Sequence, residues 1–325
     1  MQASARFRDY PLRAGMYESF YLRAVSPDEP LGVWIRHTVH KAPGRRAVGS
    51  VWCTVFDPRR GEPLARRESG RELRLAPQGW ISVGGDSVMG PSGASGRCAD
   101  TIWELSYEAA GPDLAHLSPS WLYRAPLPRT KLTSPAPLAL FDGTLAIAGR
   151  KPIELRSWRG MVGHNWGSEH AARWIWLHAV DLVDQPGAWI DLALGRVVVA
   201  GRMTPWLASG ALHAAGRTIG LGGLASRGVR VHEDAHGCSV GLTGRGGLSV
   251  AVRADIPEHG AVGWRYQDPA GGEHDVLNCS VAEMEIELSG AGARRVVLRT
   301  AHGGAYELGT LAGEAGQPAS AFPAG

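Results

Sequence analysis

Apolar residues recur at every second position along most of the chain, in short runs broken by Gly, Pro, Asp and Ser. Few windows sustain a 3.6-residue apolar period, so the pattern predicts an all-β protein. Strands are predicted over 17–25, 33–40, 49–57, 72–75, 80–83 and 101–108. The Gly- and Ser-rich run at 84–96 predicts a mobile loop. Residues 111–137 carry six of the 21 prolines, a density that predicts an extended crossing segment without central strands. Further strands are predicted over 141–148, 153–158, 174–180, 196–201, 218–221, 228–232, 239–242, 248–254, 282–288 and 294–300. In the run ending at Leu288, Glu283, Glu285 and Glu287 alternate with Met284, Ile286 and Leu288, as on a strand with one wet face.

The chain is organised around residues 163–180, which hold three of the twelve tryptophans and three of the twelve histidines. From Trp174 on, one strand face carries Trp174, Trp176, His178 and Val180, and the other Arg173, Ile175, Leu177 and Ala179. Both faces are largely apolar, which predicts a central strand covered on both sides. A gapless offset of 155, from Phe20 to Ile175, aligns this hairpin with one near the start. Six of seventeen positions are identical: Leu22/Leu177, Ala24/Ala179, Val25/Val180, Gly32/Gly187, Trp34/Trp189 and Ile35/Ile190. Any two hairpins share a hydrophobic rhythm, but these identities favour internal duplication of a domain-sized unit. The predicted units are 1–145, closing with the Pro-rich segment, and 146–308, followed by a disordered tail over 309–325.

Composition changes this picture little. A formal net charge of +3 is too small to imply a nucleic-acid partner. The arginines at 45, 46, 59, 60, 66, 67, 71 and 74 predict solvent-facing hairpins, with transient membrane-surface contact as the alternative. No apolar run reaches signal-peptide or membrane-span length, so a cytoplasmic protein without a transmembrane segment is expected. The four cysteines form no Cys-x-x-Cys pair and read as buried free thiols.

The block from Gly163 to Val180, with its Asn165-Trp166-Gly167 and Trp174-x-Trp176 core, follows SWRGMVG and the PRTKLTSPAP segment. Together with YESFYLRA and TIWELSY, it resembles the tocopherol cyclase and AttH-like superfamily, over roughly residues 15–305. That group includes the carotenoid hydratase called hydroxyneurosporene synthase and fungal pericyclases. The resemblance implies two lipocalin-like antiparallel β-barrels side by side, and a hydrophobic, often isoprenoid or polyketide, ligand. It also implies protonation or hydration of an alkene, or cyclisation of a polyene.

Such chemistry needs a proton donor in a dry pocket and aromatic faces for the cation that forms. Glu169, His170, His164 and Glu18 are the catalytic candidates, and Tyr21, Glu104, Asn165, Trp166, Trp174, Trp176 and His178 the ligand-binding ones. Each also has a plain structural reading: core tryptophans, a tight turn at 165–167, glutamates paired with arginine. The offset sets Glu18 opposite Arg173, on the face away from His178, so Glu18 and His178 should not both line equivalent pockets. His164, His170 and His178 lack the spacing of a zinc site, and no phosphate-binding fingerprint or nucleophile elbow appears. The expectation is therefore a cofactor-independent enzyme without an obligatory metal, acting on a lipophilic unsaturated substrate by acid-assisted hydration, isomerisation or cyclisation. The alternatives are a non-catalytic carrier of a hydrophobic small molecule and a structural double barrel.

Overall fold

A computed structural model describes residues 3–11, 13–76, 79–223, 228–243, 247–290 and 293–313, with the side chains of 293 and 294 left aside. The first sheet contains β1 (Met16–Val25), β2 (Gly32–Lys41), β3 (Val48–Phe56), β4 (Leu64–Arg71), β5 (Leu73–Arg74) and β6 (Ile81–Val83). It continues through β7 (Ser87–Met89), β8 (Gly93–Cys98), β9 (Thr101–Ala109), β10 (Leu114–Ala115), β11 (Thr130–Ile147) and β12 (Ile153–Gly167). The second contains β13 (Arg173–Ala179), β14 (Trp189–Arg196), β17 (Leu207–Ala214), β18 (Arg217–Gly222) and β19 (Arg230–Asp234). It ends with β20 (Gly237–Thr243), β21 (Leu248–Asp255), β22 (Val262–Gln267), β23 (Glu273–Gly290) and β24 (Ala293–Leu311). A small ribbon pairs β15 (Val198–Val199) with β16 (Arg202–Met203). No α-helix occurs among the described residues, and so none long and apolar enough to cross a membrane.

The two sheets share one topology. The first runs β4-β3-β2-β1-β12-β11-β9-β8-β7-β6-β5 with β10 on β11; the second runs β18-β17-β14-β13-β24-β23-β21-β20-β19 with β22 on β23. Every described pairing in both is antiparallel, and the ten strands of the second follow the order of ten strands of the first, which has β5 and β6 in addition. In the first sheet the edge strands β4 and β5 are separated in the chain by Glu72 alone, so the sheet curls almost shut into a barrel. The chain is thus a double antiparallel barrel built by internal duplication.

Alternation along the central strands sorts side chains into three cores. Phe20, Leu22 and Ala24 of β1 point into the first barrel, which is filled by Trp103, Phe141 and Leu145. Ile175, Leu177 and Ala179 of β13 point into the second, with Met284, Ile286 and Tyr306. The opposite faces meet between the barrels, where Val25, Trp34, Trp52 and Phe56 pack against Val180, Trp189, Trp264 and Val281. Both central strands are therefore covered on both sides, as their sequence predicted.

Several expectations change. Strand β12 pairs with β1 and β11, so the chain leaves the first sheet after Gly167 and not at 145. Pro135 and Pro137 lie inside the central strand β11; its register shifts between Thr133 and Ala136 and again before Ala139, and these bulges absorb the missing N–H groups. The run at 84–96 forms β7 and β8, because the Ser87 hydroxyl bonds both the N–H and the carbonyl of Arg97, and Gly93 and Gly96 permit close backbone approach. The tail prediction fails at 309–311, which belong to β24, and from 314 on it lies outside the described residues. Within the arginine cluster, Arg59, Arg66, Arg71 and Arg74 pair with nearby carboxylates. All four cysteines are buried and free.

Candidate functional site

The seam between the barrels is held by residues meeting their own copies. Arg23 Nη1 donates to His178 Nδ1 at 2.8 Å, across a sequence separation of 155. Tyr21 meets its copy Trp176 edge to face, with centroids 5.9 Å apart. Contact between a residue and its own copy places a pseudo-twofold axis at that point. Burial lowers the Arg23 pKa to about 10, which leaves a cation at neutral pH, and its second nitrogen donates to the carbonyls of Ser280 and Gly303. Burial and then Arg23 lower His178 to about 4; its Nε2–H donates to the Pro137 carbonyl at 2.8 Å, which leaves the Nδ1 lone pair for Arg23.

Beside this axis, three polar groups are arranged among aromatic rings. Glu307, cross-strand from Trp176, accepts from Trp174 Nε1 at 2.9 Å and from the Tyr266 hydroxyl and Asn278 Nδ2, each at 3.1 Å. Tyr21 lies over Gly163, where an added Cβ would fall 2.1 Å from its ring; Trp174 covers Gly309 in the same way. No described residue hydrogen-bonds the Tyr21 hydroxyl. Burial, followed by the Asp191 and Glu307 carboxylates, holds its pKa well above the usual phenol value, so it remains a neutral donor. His170 stacks between Tyr17 at 3.9 Å and Trp174 at 5.5 Å, and its Nδ1 lies 2.6 Å from Asp268 Oδ1. Burial lowers His170 to about 4 against the pull of Asp268, whose other oxygen meets His274 Nε2 at 2.9 Å.

A further polar knot flanks Trp176. Asp191 accepts from Trp176 Nε1 at 2.9 Å and from the Ser134 hydroxyl at 2.5 Å, with His116 Nε2 at 3.2 Å. The serine proton points at the carboxylate and not at the imidazole, so the trio is no activated nucleophile. Burial acts to lower His116, but Asp191 outweighs it and the pKa is raised; Asp191 is lowered to about 2 by His116, in spite of burial.

The structure gathers Tyr21, Asn165, Trp174, Trp176 and His178 on the seam, with His170 at its edge. Asn165 Oδ1 is buried there with no partner among the described residues. Glu18, His164 and Trp166 lie on the other face, toward the first barrel. His164 Nε2 is 2.8 Å from Glu18 Oε1, its ring lies between Phe20 and Trp166, and Glu18 also accepts the backbone N–H groups of Arg6 and Phe7. Burial lowers His164 despite Glu18. Glu18 and His178 thus face different compartments, as the offset required. Glu169 is exposed and paired with Arg129, and Glu104 faces outward over a surface depression of about 550 Å³. Sequence reasoning missed Glu307, Asp268, His274 and Asp191. The one local signal was the Asp268-to-Gly272 turn, a hairpin mark that carries no chemistry by itself.

No protein-family profile matches the chain. The protein Rv0493c of Mycobacterium tuberculosis, itself uncharacterized, is 31% identical over 304 residues, covering 92% of this chain and 88% of its own length. The chain belongs to the Rv0493c family. Its counterpart MT0513, from a second strain of that organism, matches to the same extent. Three solved structures share the fold of this chain. An AttH-type protein of Nitrosomonas europaea superposes with a TM-score of 0.54 at 15% identity, over 94% of this chain and 96% of that one. CghA crystallised with Sch210972 gives 0.59 at 11% identity, over 91% and 88%. Kievitone hydratase of Nectria haematococca gives 0.53 at 11%, over 95% and 93%. At these identities the likeness concerns fold.

Proposed function

We propose that the seam binds a lipophilic unsaturated compound bearing a carbonyl group, and isomerises, hydrates or cyclises it without a bound organic cofactor. The reading is carried by the neutral, unpartnered Tyr21 phenol, set near the Glu307 carboxyl and walled by Trp174, Trp176 and Tyr266. A phenol with a raised pKa is a poor source of free protons for an isolated alkene but a good donor to a carbonyl oxygen gaining charge. Glu307, held in place by three donors, is the base that takes a proton from a neighbouring carbon or from attacking water. The donor role expected of Glu169 passes to Tyr21, since Glu169 is exposed. Kievitone hydratase, by its name, and CghA, crystallised with Sch210972, lend support by fold likeness.

The test is turnover of a panel of lipophilic enones in D2O, read by mass spectrometry. Tyr21→Phe and Glu307→Gln should each lower kcat by about 100-fold or more, while ligand-induced change in tryptophan fluorescence persists. Equal turnover in both variants would remove these residues. Bound ligand recovered chemically unchanged, with the chromatographic retention as well as the mass of the compound added, would favour a carrier instead.

A further inference from the structure

We propose that His170, Asp268 and His274 form a binding site for one divalent transition-metal ion of the zinc, cobalt or iron(II) type. One ligand atom from each lies within 4.8 Å of the other two. The inner nitrogens stand 2.6 and 2.9 Å from the two Asp268 oxygens. Ligands around an ion with bonds of about 2.0–2.2 Å sit roughly 3–3.5 Å apart, so a small outward movement admits the cation. The frame is rigid where it matters. Asp268 closes the turn between β22 and β23 through its N–H to the Gly272 carbonyl at 2.7 Å, and its Oδ1 also accepts the His170 N–H at 2.8 Å.

Charge and protonation favour a cation. With neutral imidazoles the trio carries one negative charge, on a carboxylate whose side chain is 7% exposed. Among the described residues, no lysine or arginine forms an ion pair with Asp268. The outer nitrogens, His170 Nε2 and His274 Nδ1, are buried without partners among the described residues. Each inner nitrogen donates its N–H to Asp268, and no described residue holds the outer one, so when a cation takes the place of that N–H each ring can carry its proton outward and offer the inner lone pair to the ion. Two imidazoles and one carboxylate suit borderline metals, and three protein ligands make an open site and not a closed structural one.

The inference does not depend on the proposed reaction, because it is read without turnover. Full-length protein stripped with EDTA is titrated with CoCl2 and ZnCl2 by calorimetry, and by visible absorption for cobalt. One equivalent should bind, and each metal should raise the thermal midpoint, reversibly with EDTA. His274→Ala and Asp268→Asn should each weaken binding at least tenfold, whereas His259→Ala, at an exposed histidine beside Glu62, should not change it. No saturable binding by the wild type, or equal binding in all three variants, overturns the proposal. Should the buried variants not fold, cobalt added to the wild type must broaden the His170 and His274 ring resonances first. A response beginning at another histidine overturns it equally.

Discussion

Arg23 is fully buried and answered by carbonyl dipoles and an imidazole, with no described carboxylate in contact. Arg23→Met would leave His178 Nδ1 and the Ser280 carbonyl without the donor that Arg23 supplies, while the Gly303 carbonyl keeps the Val180 N–H, at about 1–3 kcal/mol for each buried group left bare. A total loss of about 3 kcal/mol or more is expected in urea unfolding; a loss below about 1 kcal/mol would show that the centre of the seam is not structural. The His116–Asp191 pair makes a separate prediction about pH. Asp191 has a folded pKa of about 2 against 3.8, so its contribution is present above 3.8 and is lost as pH falls toward 2. His116 is raised above 6.5, so its contribution is full below 6.5 and is lost as pH rises through the folded value. The difference in thermal midpoint between wild type and His116→Gln should therefore be widest between 3.8 and 6.5, and should narrow on either side. A gap that widened above 6.5 would contradict the assignment of His116 as the cation. His170 and His178, both held near 4, act in the opposite sense: their contribution is lost as pH falls from 6.5 toward 4.

Strand β12 separates two kinds of glycine. A Cβ on Gly160 would fall 1.8 Å from the Arg23 carbonyl oxygen, which is backbone and cannot rotate away; the nearest atoms to a Cβ on Gly163 belong to the Tyr21 side chain, which can shift. Gly160→Ala should thus cost about 3 kcal/mol or more, and Gly163→Ala nearer 1, with a changed near-ultraviolet dichroism as Tyr21 shifts against Trp176. The reverse ranking in chemical denaturation would show that β12 does not pack on β1 as described. The same strands show what sequence could reveal. Both faces of β1 and β13 are largely apolar and the two hairpins share residues at a constant offset, so hairpin, duplication and double coverage were legible. The second half of β11 was predicted at 141–148, but its first half was hidden because its prolines are accommodated by bulges, and β7 and β8 because glycine and serine are used there for close approach, not flexibility. In the site, Tyr21, Trp174 and Trp176 were found because they lie in the repeated hairpins. Glu307 lies 133 residues beyond Trp174, and Asp268 98 beyond His170; only sheet register brings them together, and register leaves no local mark.

The seam also governs how the whole molecule unfolds. Each barrel has its own core, and the fold could accordingly melt in two steps. Against this, the seam removes Trp34, Trp189 and Trp264 almost wholly from water and fixes Trp52 against Trp264 at 5.0 Å. A barrel alone would expose that tryptophan-rich face and strand the Arg23 charge beside an empty partner surface, a penalty comparable with the stability of a whole domain. Scanning calorimetry should therefore show one cooperative transition, with calorimetric and van't Hoff enthalpies agreeing. Chains cut in the crossing at 168–172 should recover native tryptophan fluorescence only when both pieces are present. Two resolved transitions, or a first piece that alone gives native fluorescence, would mean that the seam is a docking of finished barrels. Tyr21 and Glu307 would then meet only as often as the barrels are docked, and any chemistry at the seam would be gated by that motion.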